Sequence, residues 1–238
     1  MFERSHHQRI AQVLQALDGD LLRAHQCWFG GGTVMALRYG EYRESVDIDF
    51  LVSDRAGYRE LRQRMTQAGG ISNLLRPDAA PLEQSREVRA DQYGIRTTLL
   101  VAGQAIKFEI VLEGRMTLET PAPADEICGI ATLTPLDMAA GKLLANSDRW
   151  ADDGVFSRDL IDLAMMEAPV PLLQRALIKA EAAYGAAILR DLEKALTRLM
   201  TRQGWLERCM QAMEMRLPKA VLWQRLRKLQ RLLPPALG

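Results

Sequence analysis

The sequence predicts an α+β head over residues 1–133 followed by a C-terminal helical domain over 134–238, and three observations carry that prediction. Strand-like and helix-like patterns alternate up to about residue 132. After Thr134-Pro135 every apolar pattern has helical spacing. Between the two regimes lies Pro121-Ala122-Pro123, a linker that neither a helix interior nor a central strand tolerates.

In the head, Ile10, Val13, Leu14 and Leu17 fall at i, i+3, i+4, i+7, the apolar stripe of a helix that should end near Asp18-Gly19. Gln26 to Phe29 reads as a short strand stopped by Gly30-Gly31-Gly32, and Thr33 to Tyr39 as a short helix ended by Gly40. Ser45 to Val52 alternates: Val46, Ile48, Phe50 and Val52 share one face, Asp47, Asp49 and Leu51 the other. Tyr58 to Gln67 is a helix closed by Gly69-Gly70, Ile71 to Leu75 a short strand, and 76–85 a loop. Gly94–Val101 and Gln104–Leu112 flank Ala102-Gly103 as a β-hairpin. In its second strand Ile106, Phe108 and Ile110 alternate with Lys107, Glu109 and Val111. Ile127 to Thr132 is the last strand. The helical domain should contain helices near 136–147, 157–167, 171–184, 187–202, 205–215 and 218–232, with Pro135 starting the first of them.

Composition narrows the function. At 48% apolar and 26% charged residues the chain is too apolar to be disordered, and no run of about 18 apolar residues offers a membrane span. The polar start, Met1 to His7, is not a secretory signal. Three widely spaced cysteines and no CxxC pair point to a reducing cytoplasm and away from a structural zinc site. The net charge of +1 conceals an asymmetry: from Arg198 to Gly238 nine Lys/Arg stand against two acids. That segment carries +7 and the rest −6, so a polyanionic partner stays open. Arg225, Lys228 and Arg231 lie near one face of the last helix, either as a solvated surface or against an RNA acceptor.

The segment richest in chemistry is Gly30-Gly31-Gly32-Thr33 followed by Ser45-Val46-Asp47-Ile48-Asp49-Phe50. Asp47 and Asp49, two apart on an extended segment, point the same way and repel each other. A hard divalent cation with oxygen ligands, such as Mg²⁺, removes that repulsion. A glycine turn opening a helix presents backbone N–H groups at the positive end of the helix dipole, a cradle for phosphate to which the Thr33 hydroxyl can add a hydrogen bond. Other candidates read as structural. His6-His7 should be solvated, and His25 has no nucleophile partner. Cys27 should be a small buried apolar residue, and Trp205 and Trp223 helical core.

The stretch from Phe29 to Gly40 and from Arg43 to Phe50 resembles the first motif of the AbiEii/AbiGii toxin family, within the DNA polymerase β-like nucleotidyltransferase superfamily. The resemblance implies a polymerase-β-like head with a mixed sheet and flanking helices. Asp47 and Asp49 would be metal-binding aspartates, and a third carboxylate is expected on a later strand, where Glu109 stands in Lys107-Phe108-Glu109-Ile110. Downstream, Leu136 to Ala145 resembles the family's helix with its active-site lysine, here Lys142. Arg158-Asp159-Leu160-Ile161-Asp162-Leu163 resembles the helix that follows it. The implied roles are Mg²⁺ (two ions) at Asp47, Asp49 and Glu109, an NTP on Gly31, Gly32, Thr33 and Lys142, and Asp159 as a base near the acceptor or an anchor for Lys142. Arg149 and Arg158 could contact phosphate or simply lie on a helix surface. The implied function is nucleotide transfer from an NTP to an acceptor hydroxyl with release of pyrophosphate. The implied setting is a cytoplasmic toxin acting on tRNA or protein, with a cognate antitoxin and no membrane role. A small-molecule nucleotidyltransferase and an inactive nucleotide-binding module are the alternatives. The long spacer from Asp148 to Arg158, with Asp152-Asp153-Gly154, departs from the family pattern and puts the placement of Asp159 in question.

Overall fold

A computed structural model describes residues 2–233. They divide into two compact units. The first runs from the N-terminal side to Glu41 and from Ser45 to Thr134; the second comprises Tyr42–Glu44 and the chain from Pro135 onward.

In the first unit, α1 (Ser5–Ala16) buries His7, Ile10, Val13 and Leu14. The chain does not turn to loop at Asp18: the Asp18 side chain accepts the Leu21 N–H and so caps a second short helix, α2 (Gly19–Ala24). There follow β1 (Trp28–Gly30), α3 (Gly31–Arg38), β2 (Ile48–Val52), α4 (Arg55–Thr66), β3 (Glu83–Ala90), β4 (Gly94–Val101) and β5 (Gln104–Leu112). The unit closes with β6 (Glu126–Ile127) and β7 (Ile130–Ala131). The five-stranded sheet has the order β1-β2-β5-β4-β3. Only β2 and β5 run parallel; the other neighbours are antiparallel.

The alternation of β2 and β5 explains which face is core. Ile48, Phe50, Val52, Ile106, Phe108 and Ile110 are all fully buried. The rings of Phe29, Phe50 and Phe108 run across three strands with successive centroids 5.6 Å apart. The opposite face therefore carries Asp49, Lys107 and Glu109. The β4–β5 hairpin forms as expected, with Ala102 and Gly103 both at positive φ (49° and 75°), the backbone of a two-residue type I′ turn.

Several expectations in the head are corrected. Strand β1 starts at Trp28, because Gln26 sits at φ 50° and breaks the extension. Val46 is 46% exposed and lies outside β2. Ile71–Leu75 is a 3₁₀ turn (Gly70–Leu74) that buries Ile71 and Leu74 on one side, entered through Gly69 and Gly70 at positive φ. Part of the expected loop at 76–85 is the start of β3, an edge strand whose polar composition hides it from an apolar-alternation search. Ile127–Thr132 holds two very short strands, folded back at Cys128 and Gly129 (φ 54° and 80°).

The second unit is helical: α5 (Pro135–Arg149), α6 (Arg158–Met165), α7 (Val170–Tyr184), α8 (Ala187–Thr201), α9 (Trp205–Ala212) and α10 (Lys219–Leu229). Helix α5 packs on α6, α7 and α8, and α10 packs on α6. Tyr42–Glu44 join this unit through Glu44 N–H to the Met213 carbonyl (3.1 Å) and Arg216 N–H to the Tyr42 carbonyl (3.4 Å). The unusual spacer before α6 is fastened to the bundle: Phe156 stacks on Trp205 at 6.2 Å, and the Trp205 indole N–H donates to Ser157 Oγ at 3.1 Å. Arg198 and Arg202 both pair with Asp153. Among the described residues no helix is long and apolar enough to cross a membrane.

Candidate active site

The glycine turn is required first by close approach. Gly30 lies opposite Asp49 in the β1–β2 ladder, and Gly31 opens α3 at φ 69°. A Cβ on Gly31 would fall 2.8 Å from Asp49 Cβ and 3.0 Å from its carboxyl carbon. Glycine thus admits the Asp49 side chain against the start of a helix, where a carboxylate is electrostatically favoured. Gly31→Ala should displace Asp49 and add backbone strain of about 1–2 kcal/mol. We expect nucleotide transfer to fall much further than the melting temperature; a variant of unchanged activity would show that Asp49's placement does not matter.

Thr33 is 1% exposed. Its Oγ1 lies 2.8 Å from Ser45 Oγ and 2.5 Å from the Asp47 carbonyl oxygen. This corrects the expected phosphate contact: the hydroxyl is committed to the segment that carries Asp47. Asp47 itself immediately precedes β2. Asp49 and Glu109 are register partners on the parallel strands β2 and β5, so both project from the same sheet face.

Glu109 is nearly buried, at 8% exposure, and already has cationic partners. Arg96 Nε donates to Oε1 at 2.6 Å and Lys107 Nζ reaches Oε2 at 2.5 Å. The Lys107 ammonium is pushed above its ordinary pKa, first by the Glu109 hydrogen bond and further by the charges of Asp49 and Asp47. Lys107 and Arg96 thus share Glu109, and the aspartates add to the field at Lys107. The donor set, hard oxygens gathered on one face, fits a divalent cation by chemistry. The side chains as placed do not complete a cage: among the described residues no group of three carboxylate, imidazole or thiol side chains converges to hold an ion. Glu109 would have to exchange Lys107 for the cation.

The second unit holds a buried ionic cluster. Lys142 Nζ contacts Asp162 Oδ2 at 2.6 Å and Asp159 Oδ1 at 3.1 Å. Arg43 forks onto Asp162 (Nε to Oδ1 2.7 Å, Nη2 to Oδ2 2.9 Å), and the Tyr42 hydroxyl donates to Asp162 Oδ1 at 2.6 Å. Arg149 forks onto Asp159 at 2.7 and 2.9 Å. Burial by itself would raise the Asp162 pKa, but Arg43 and Lys142 hold it well below the usual carboxylate range. Burial is likewise overcome at Asp159 by Lys142 and Arg149. A carboxylate so stabilised is a weak base, so of the two roles expected for Asp159 the geometry suits the anchor. Despite the unusual spacer, Asp159 does meet Lys142.

Of the remaining candidates, Arg149 is taken up by Asp159, while Arg158 is exposed. Trp205 and Cys27 are buried as expected. The basic tail is partly neutralised in place: Arg225 and Lys228 pair with Glu167, and Lys219 pairs with Glu207. His7 is not solvated: it is fully buried and bonded to Glu41. No local pattern in the sequence singles out Arg43, Tyr42 or Arg96, nor the pairing of Lys107 with Glu109. The proximity of Arg43 and Tyr42 to the first motif was the available signal; their partner Asp162 lies 119 and 120 residues away.

A glycine turn against one aspartate of a DxD and a carboxylate in register on the neighbouring parallel strand accord with the class that the family comparison gives, a nucleotidyltransferase. Residues 12–231 match the family described as Nucleotidyl transferase AbiEii toxin, Type IV TA system, and the chain belongs to that family. No curated protein matches it. Two solved structures from Helicobacter pylori are similar along nearly the whole chain. One is a candidate nucleotidyltransferase, with 16% identity and a TM-score of 0.46 over 95% of this chain and 96% of that one. The other is JHP933, with 17% identity and a TM-score of 0.47 over 95% of this chain and 92% of that one. Family membership implies a nucleotide substrate and a cognate antitoxin.

Proposed function

We propose that the protein is a Mg²⁺-dependent toxin that transfers a nucleotide from an NTP to an acceptor hydroxyl on tRNA or protein in the cytoplasm, releasing pyrophosphate. The observation that carries this reading is the register of Asp49 against Glu109, with Asp47 just upstream.

In this reading Asp47, Asp49 and Glu109 hold Mg²⁺. When bound, the metal lowers the pKa of the attacking hydroxyl and neutralises charge on the triphosphate. The acceptor oxygen bonds to the α-phosphorus as the bond to the β-phosphate's bridging oxygen breaks. The electron pair leaves with pyrophosphate, and the hydroxyl proton passes to solvent. Gly31 and Gly32 offer backbone N–H groups at the start of α3 to phosphate oxygens. Lys142 is assigned to the triphosphate through the motif it shares with the family, where a fixed cation stabilises the leaving group. Asp159 and Asp162 hold that ammonium in one position.

The test is incubation with each α-³²P-labelled NTP, total RNA and lysate protein, with and without Mg²⁺. Label should enter RNA or protein only when Mg²⁺ is present. Label on a small molecule alone would replace the macromolecular acceptor. Bound but unreacted NTP under all conditions would replace the enzyme with a binding module.

A further inference from the structure

The segment just before β2 lacks ladder partners, yet three consecutive residues of it are held by side chains from elsewhere in the unit. His6 Nε2 lies 3.1 Å from the Val46 carbonyl oxygen and donates to it. The Ser45 N–H donates to His7 Nε2 at 3.2 Å. Thr33 Oγ1, with one proton to give, donates to the Asp47 carbonyl and accepts from the Ser45 hydroxyl. Backbone groups outside regular structure need such partners when they are withdrawn from water.

These contacts decide the state of His7. Its Nε2 accepts the Ser45 N–H, so it carries a lone pair there and its proton sits on Nδ1. That proton is donated to Glu41 Oε1 at 2.7 Å. Glu41 is in turn fixed by the Glu3 N–H at 2.7 Å and the Arg4 N–H at 3.2 Å. Burial holds the imidazole below its ordinary pKa, so it is neutral at physiological pH. A carboxylate that sets the tautomer of a histidine, whose far nitrogen then fixes a functional segment, is a recognised way of holding a site.

Resting on the reading of Asp47 and Asp49 as metal ligands, we propose that His7, tautomer-locked by Glu41, is a positioning residue that fixes the Ser45–Asp47 segment and thereby aims the Asp47 carboxylate. The role belongs to the ring's far nitrogen, because Nε2 accepts the Ser45 N–H. Two conservative replacements separate it from simple packing. In His7→Gln the side-chain carbonyl oxygen can occupy the place of Nε2 and still accept the Ser45 N–H. In His7→Asn the amide can reproduce the Nδ1 donor to Glu41 but nothing reaches Ser45.

The experiment compares both variants with wild type in three measurements: amide hydrogen exchange of the 44–50 peptide, Mn²⁺ affinity, and nucleotide transfer, with melting temperature as the control for folding. His7→Gln should stay within about threefold of wild type in exchange, affinity and transfer. His7→Asn, at a melting temperature similar to that of His7→Gln, should speed exchange in 44–50 and weaken Mn²⁺ affinity and transfer by about tenfold or more. Equal behaviour of the two variants, or wild-type exchange in His7→Asn, overturns the proposal. Faster exchange in His7→Asn together with an Asp49-independent Mn²⁺ affinity in wild type would leave the grip on the segment intact and overturn the metal reading, and with it the aiming of Asp47.

Discussion

Asp49→Asn should abolish nucleotide transfer, by on the order of 10³-fold, while leaving the protein folded. The amide has nearly the same volume as the carboxylate and still fits against Gly31, so the close approach survives the substitution. What is lost is the negative charge that stands beside Glu109 on the sheet face. A metal site with one carboxylate fewer holds its ion more weakly, and the transition state loses several kcal/mol of charge stabilisation. Transfer of α-phosphate label at saturating Mg²⁺ reads the effect, and circular dichroism checks the fold. Full activity in this variant would remove Asp49 from the chemistry.

Asp162→Ala should destabilise the helical unit by about 3–5 kcal/mol, because it takes a shared carboxylate from two buried cations. The Lys142 and Arg43 side chains are 10% and 6% exposed, and Asp162 itself is fully buried. Lys142 keeps Asp159 at 3.1 Å, but the Arg43 fork loses both of its Asp162 acceptors. The pH dependence follows from the depressed pKa of Asp162. In the unfolded chain it titrates near the usual value of about 3.9; in the folded protein it stays ionised to lower pH. Its contribution is therefore complete above about pH 4 and is lost as pH falls through the folded value. Denaturation at pH 7 and pH 3 should show a wide gap between wild type and variant that narrows in acid. A gap under about 1 kcal/mol at pH 7 would mean that the cluster is no more than a surface ion pair.

The two clusters differ in how far they could be read in advance. Asp49 and Glu109 were legible because strand alternation is a local property: with Phe50 and Phe108 in the core, they must face the other way, whereas Asp47 lies just before β2 and escapes that rule. The parallel pairing that sets them side by side is not local, and only the register supplies it. Lys142 and Asp159 were legible by resemblance, and their helical spacing was visible, but which cations shared Asp159 and Asp162 was not. Arg43 lies beside the DxD in sequence and belongs by its contacts to the helical unit. His6 and His7 read as solvated because paired histidines near a terminus usually are. Burial of His7 depends on α1 lying against Glu41 and Ser45, contacts across more than thirty positions.

By itself, then, the sequence determined the hairpin, the helices after Pro135, the core aromatics and the carboxylates that share a face, since each is written in a spacing of two to four residues. The tertiary structure alone decided the partners: Lys107 and Arg96 on Glu109, Arg43 and Tyr42 on Asp162, Glu41 and Ser45 on His7. Ion pairs and buried hydrogen bonds depend on distances of about 3 Å between atoms whose positions are set by packing. No local periodicity encodes those distances.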